Sequence, residues 1–213
     1  LLHLQSVKAL DAAMKMTLAL PHVNFKREVT IGHLLADIKN SKSVGGKVNP
    51  PLRPREDVEA LWEHLLAGNI DWVVSDHACC KDELKFGSPR EDVFVAKSGF
   101  GGAEYLLPGL VSESKTRALS YQKIAQLASW NTAQRYGLKN KGAIAVGYDA
   151  DIAIVDPNTS YVVKAEDSLS AQEYTPFEGF ELSAKVTDTF LRGNQIFGGG
   201  NVLGAPLGKY QFR

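Results

Sequence analysis

Two polar residues stand where apolar runs end, and both are of types that hold metals or move protons. Asp76 follows Ile70-Asp71-Trp72-Val73-Val74-Ser75. A carboxylate at the mouth of a buried strand can ligate a divalent ion and accept a proton from water bound there. His3 sits among Leu1, Leu2 and Leu4, where an imidazole nitrogen suits zinc. Each has a plainer reading: a histidine beside leucines can be a hydrogen-bonded core residue, and an aspartate after a strand can cap the next turn. Asn49 precedes Pro50 and Pro51. The prolines fix their own φ and restrict the residue before them, so the amide is either held rigidly against a planar ligand or simply part of a stiff loop. Ser98-Gly99-Phe100-Gly101-Gly102 can bring backbone N–H and C=O groups, those of Gly101 included, close to a ligand, or form a mobile loop. It lacks the Lys-Ser/Thr ending of a phosphate-binding loop, and that function is rejected. Cys80 has only Lys81 beside it as a source of positive charge, so its residues alone read as an inert thiol.

The elements that must position these residues alternate. Val7, Leu10, Met14 and Leu18 recur at helical spacing up to Pro21, and Phe25 to Ile31 has the alternation of a strand. Pro54, with Glu56 and Asp57 after it, opens a helix whose face is Val58, Leu61, Trp62 and Leu65. Gly68-Asn69 breaks that helix, and a strand over Ile70 to Val74 delivers Asp76. Repeated strand-then-helix units with nearly continuous apolar strands predict an α/β fold with a parallel sheet covered by helices. Helical stretches are predicted near Ala103 to Ser112 and Ser120 to Tyr136, stopping at Gly137. From Ala143 the chain reads as short strands and turns, notably Asp151 to Asp156, Tyr161 to Val163 and Lys185 to Leu191.

With 24 basic and 24 acidic side chains in 213 residues, the chain lacks the net positive charge that draws proteins to nucleic acid or anionic membranes. The partner expected is a small molecule or another protein. The only cysteines, Cys79 and Cys80, are adjacent and cannot form a long-range staple, which favours a reducing, cytoplasmic setting. No run approaches the roughly 20 apolar residues of a membrane span. The start at Leu1-Leu2-His3-Leu4 reads as the end of a buried strand with no initiator Met, and leads us to expect a piece of a longer polypeptide.

Taken in order, several segments resemble the cyclic amidohydrolases of the allantoinase, hydantoinase (dihydropyrimidinase) and dihydroorotase group. His3-Leu4-Gln5-Ser6 resembles a strand-end metal-binding motif. Glu28-Val29-Thr30 with His33-Leu34-Leu35 is similar to the next strand and its turn, Lys47 to Arg53 to the Pro-Pro substrate turn, and Ser75-Asp76-His77-Ala78 to the last metal-binding element. Gly99 to Glu104, Asn131-Thr132-Ala133 and Gly147 to Asp151 continue the series.

The resemblance implies the C-terminal portion of a metal-dependent-hydrolase (β/α)8 barrel over residues 1–141, and part of a small β-sandwich domain over 142–213. It also implies a binuclear zinc centre bridged by a carboxylated lysine and a hydroxide. His3 and Asp76 would be metal ligands, Asp76 the proton-transferring group, and Asn49, Cys80 and Gly101 substrate-binding residues. The first-strand histidine pair, the bridging lysine and a further histidine would precede this sequence, so this chain alone should be inactive. The full-length parent is expected to be a homo-oligomer, dimer or tetramer, acting on a small cyclic amide. Cys80 stands four residues after Asp76, where dihydroorotases carry a histidine, which favours allantoin or a hydantoin. Asn49 matches the dihydroorotase Asn-Pro-Pro and keeps that alternative open. A second alternative is a non-catalytic scaffold on the same fold.

Overall fold

A computed structural model describes residues 1–41 and 43–212. They form two compact units interleaved along the chain, one from Leu1–Leu106 with Val162–Glu181, the other from Leu107–Tyr161 with Leu182 onward.

In the first unit, α1 (Val7–Ala19) starts where Ser6 Oγ accepts the Ala9 N–H (3.3 Å) and the Asp57 carboxylate accepts the Val7 N–H (3.0 Å), satisfying donors that a helix start otherwise leaves open. Strand β1 (Glu28–Thr30) is flanked by Leu1–Leu4, with Glu28 N–H on the Leu1 carbonyl (3.0 Å) and Leu4 N–H on that of Glu28 (2.9 Å). The strand expected over Phe25 to Ile31 shortens because the Thr30 hydroxyl accepts the His33 N–H (3.2 Å) and starts α2 (Ile31–Leu35), which is wholly buried.

Helix α3 (Arg55–Leu66) follows Pro54 and buries Val58, Leu61, Trp62 and Leu65, the stripe its spacing predicted. Each such side chain stabilises by about 1.5–3 kcal/mol relative to exposure. Trp62 Nε1 donates to the Leu34 carbonyl (2.8 Å), docking α3 on α2. Strand β2 (Trp72–Val74) pairs parallel with β1, Glu28 opposite Trp72 and Thr30 opposite Val74. Asp71 stays outside it, accepting the Arg27 N–H (2.8 Å) and pairing with Lys26 (3.1 Å). Helix α4 (Asp82–Lys85), which the sequence pattern did not predict, lies between β2 and the glycine-rich segment, and α5 (Ala103–Glu113) begins directly after Gly102. The α1 face is narrower than its spacing suggested: Leu10 and Ala13 are buried, but Leu18 is 82% exposed.

In the second unit, Ser120 caps α6 (Tyr121–Ala125), which continues through one π-helical turn (Gln126–Trp130) into α7 (Asn131–Tyr136). Gly137, at φ 65°, ends α7 in the left-handed conformation that glycine adopts without a steric penalty. Along the chain the strands that follow are β3 (Ile152–Asp156), the short pair β4 (Tyr161–Val162) and β5 (Glu181–Leu182), within which the unit boundaries fall, then β6 (Lys185–Leu191), β7 (Asn194–Gly198) and β8 (Asn201–Val202). β3, β6, β7 and β8 make an antiparallel sheet in the order β3-β6-β7-β8. Lys141 pairs with Asp149 (2.8 Å) and Asp151, and Asp151 accepts the Arg192 N–H (2.8 Å), tying the turn before β3 to the β6–β7 hairpin. Among the described residues, no helix is long and apolar enough to cross a membrane.

Candidate active site

His3 and Asp76, far apart in sequence, meet from the two segments that flank β1, with His3 Nε2 and Asp76 Oδ1 3.8 Å apart and both side chains partly exposed. Both have positive φ, 51° and 46°. That region costs a non-glycine residue about 1–3 kcal/mol and is tolerated where the surroundings enforce it, a pattern concentrated at functional sites. Behind them is a buried carboxylate. Glu28 Oε1 lies 3.0 Å from His3 Nδ1, and Oε2 accepts the Trp72 Nε1–H at 2.8 Å, a contact the β1–β2 register makes by setting Glu28 opposite Trp72. The carboxylate lies close to one ring nitrogen, though not in hydrogen-bonding geometry, and the other ring nitrogen faces Asp76.

The nitrogen and oxygen donors of this pair suit zinc, and at 3.8 Å they can share one ion. Among the described residues, no group of three or more His, Cys, Asp or Glu side chains is arranged to hold a metal ion.

Asn49 is exposed, on a loop that His33 fastens to α2. His33 Nε2 donates to the Pro50 carbonyl (2.9 Å), so Nδ1 carries no proton and accepts the Thr30 hydroxyl (2.7 Å). Burial lowers the His33 pKa, which favours the neutral ring. Gln5 links the same loop to the His3 segment, its amide donating to the His3 carbonyl (3.0 Å) and accepting from Arg53 (2.9 Å).

The glycine-rich segment closes on the residues after Asp76. The Gly102 and Ala103 N–H groups both donate to His77 Nδ1 (3.2 Å each), and Ala78 N–H donates to the Phe100 carbonyl (3.1 Å). Gly101 is less available than its sequence suggested: its N–H is taken by the buried Gln172 side chain at 2.6 Å, leaving the carbonyl. Cys80 Sγ faces the Tyr174 hydroxyl at 3.6 Å, and burial raises that phenol's pKa. Lys85, 1% exposed, donates to the carbonyls of Lys47 (2.9 Å) and Gly99 (2.6 Å), and burial lowers its pKa to about 8.

Sequence reasoning named His3, Asp76, Asn49, Cys80 and Gly101. It gave no role to Glu28, His77 or Lys85, and treated His33 only as part of a turn. Glu28 at the centre of a predicted buried strand was the one available signal, since a carboxylate there needs a partner. A cavity of about 900 Å³, lined in part by Phe86, Arg90, Lys164 and Tyr174, includes neither His3 nor Asp76, so it is not the place where this pair would act.

The comparisons with known proteins place the chain in a family. Residues 3–196 match the amidohydrolase family. An allantoinase of Rubrobacter xylanophilus is 43% identical over 165 residues, 77% of this chain and 36% of the relative, and one of Salmonella newport is 34% identical over 168 residues, 78% and 36%. The chain thus spans about a third of the length of the curated relatives it matches. Among solved structures, the L-hydantoinase (dihydropyrimidinase) of Arthrobacter aurescens superposes with a TM-score of 0.90 at 28% identity over 100% of this chain and 48% of that one. The D-hydantoinase of a Thermus species gives 0.86 at 27% over 96% and 45%. The fold is accordingly that of part of an amidohydrolase α/β barrel with its β-rich extension. On the strength of that match, and with His3 and Asp76 brought together as its motifs imply, the chain belongs to the amidohydrolase family, among the cyclic amidohydrolases.

Proposed function

We propose that this chain is part of a zinc-dependent hydrolase that opens a cyclic amide or ureide at a C–N bond, with allantoin or a hydantoin as substrate. The observation that carries the reading is the His3–Asp76 pair backed by buried Glu28. The 43% identity to an allantoinase supports the ureide, as does Cys80 four residues after Asp76. In the division we propose, residues 1–141 belong to the barrel and 142–213 to the small β domain. The remaining metal ligands, a histidine pair, a bridging lysine and a further histidine, come from outside this chain. The 213 residues alone are therefore inactive, and the complete enzyme is a cytoplasmic homo-oligomer.

Bound zinc would supply polarisation of the amide carbonyl and acidification of the attacking water. The chain's own residues do the rest. His3 and Asp76 would hold the ion, with the Glu28 carboxylate beside the His3 ring. Asp76, partly exposed and facing the site, takes the proton from the attacking water and returns it to the ring nitrogen as the C–N bond breaks. Asn49 and the Gly101 carbonyl orient the planar ring, and Cys80 lines its far side.

The test is ring opening of allantoin, hydantoin, dihydrouracil and dihydroorotate, side by side, by the natural polypeptide that contains this chain, supplied with zinc. Turnover of allantoin or hydantoin is expected. Turnover of dihydroorotate alone would favour the dihydroorotase alternative that Asn49 supports, and no turnover with no bound metal would point to a scaffold.

A further inference from the structure

We infer that Lys85 is a positioning residue of this site, its buried ammonium locking the loop that carries Asn49 to the glycine loop at Gly99. This role rests on the ring-opening site proposed above.

An ammonium offers three donors and no acceptor, and burying it is costly unless each donor is used. Here two go to carbonyls on different segments, Lys47 (2.9 Å) and Gly99 (2.6 Å), and the charge lies 5.1 Å from the centre of the Tyr174 ring, within the range of a cation–π contact. The two segments also meet directly, the Gly99 N–H donating to the Lys47 carbonyl (2.9 Å). Lys85 thus reinforces a junction with Asn49 two residues from one side and Gly101 two residues from the other. Its own backbone is held there too, since Lys85's carbonyl accepts the Lys97 N–H (2.8 Å), and Lys47 Nζ reaches the Ala96 carbonyl (2.5 Å).

A core that needed only stability would do as well with an apolar side chain of similar volume, because a buried charge is weak evidence of stabilisation. A charge with donors on two loops does something an apolar side chain cannot: it fixes the distance between them. The same α4 turn stands just after Cys80, whose thiol touches Tyr174, so Lys85 connects the segments bearing all three proposed substrate-binding residues.

The experiment compares Lys85→Met, which keeps the stem and removes the donors, with Lys85→Arg, which restores donors and charge. Lys85→Gln carries the same readouts should the Met variant fail to fold. In the ring-opening polypeptide, amide exchange at Gly99 should accelerate about tenfold or more in Lys85→Met while α3 amides stay unchanged. In the ring-opening polypeptide KM should rise about tenfold with kcat within about twofold, and Lys85→Arg should recover part of the loss. Unchanged exchange at Gly99 would overturn the lock itself. Faster exchange with unmoved KM would leave the lock but remove the positioning role. A wild-type protein that opens none of the four rings would instead overturn the proposed function, and the positioning role with it, whatever the exchange shows.

Discussion

At the scale of single residues, the site depends on Asp76 as a carboxylate and not merely as an occupant of its turn. Asparagine tolerates the left-handed backbone that Asp76 adopts at φ 46°, so Asp76→Asn should fold like the parent. Ring opening by the complete enzyme should fall by about 10²–10⁴-fold, the usual loss when a proton-transferring group is removed. Steady-state kinetics beside a urea melt would separate the two effects, and retained turnover would take Asp76 out of the reaction. His33 carries a pH signature. Burial holds its imidazole below the ordinary value of 6.5, while the unfolded chain takes up a proton near that value. Its contribution to stability is therefore complete above about pH 6.5 and lost as the pH falls through the lowered folded pKa. Urea midpoints between pH 8 and pH 5 should fall more steeply for the native chain than for His33→Gln, and parallel slopes would show that His33 does not titrate with folding.

At the scale of elements, two glycines with positive φ are held for different reasons. Gly137 ends α7 at φ 65° with open space around the position of a Cβ, so Gly137→Ala should cost about 1 kcal/mol of backbone strain alone. Gly99 has φ 111°, and a Cβ there would come within 2.8 Å of the Ala78 methyl and 3.0 Å of its carbonyl oxygen. Gly99→Ala must displace the segment that follows Asp76 and should cost about 2–3 kcal/mol. Urea denaturation of both variants checks the order, and equal losses would mean that the Ala78 segment yields freely.

At the scale of the whole molecule, the chain exposes apolar side chains that ordinary surfaces keep covered, Phe94 at 91% and Ile144 at 87% among them. The β1–β2 ladder is a two-stranded sheet whose β1 side is covered by Leu1–Leu4, and an open edge on the β2 side would favour association. The isolated 213 residues should self-associate or precipitate at micromolar concentrations. Light scattering after size exclusion reads this directly, and a monodisperse monomer with one cooperative melt would refute it.

Local pattern alone determined the α3 stripe at Val58, Leu61, Trp62 and Leu65, the stop at Gly137 and the short strands after Ala143, because periodicity and glycine φ are properties of neighbours in sequence; their antiparallel pairing came from the structure. The ordered motifs carried the family and named His3 and Asp76. The sequence could not say that Glu28 lies beside His3, that His33 holds the Pro50 loop, that Gln172 occupies Gly101's N–H, or that Lys85 is buried. Each of those contacts joins residues on different segments, and only strand register and loop closure bring them within hydrogen-bonding distance. Tertiary structure likewise shortened the strand expected over Phe25 to Ile31, because the Arg27 N–H turns to the Asp71 carboxylate at one end and Thr30 caps a helix at the other, and left Leu18 outside the core, since an apolar stripe is buried only as far as another element covers it.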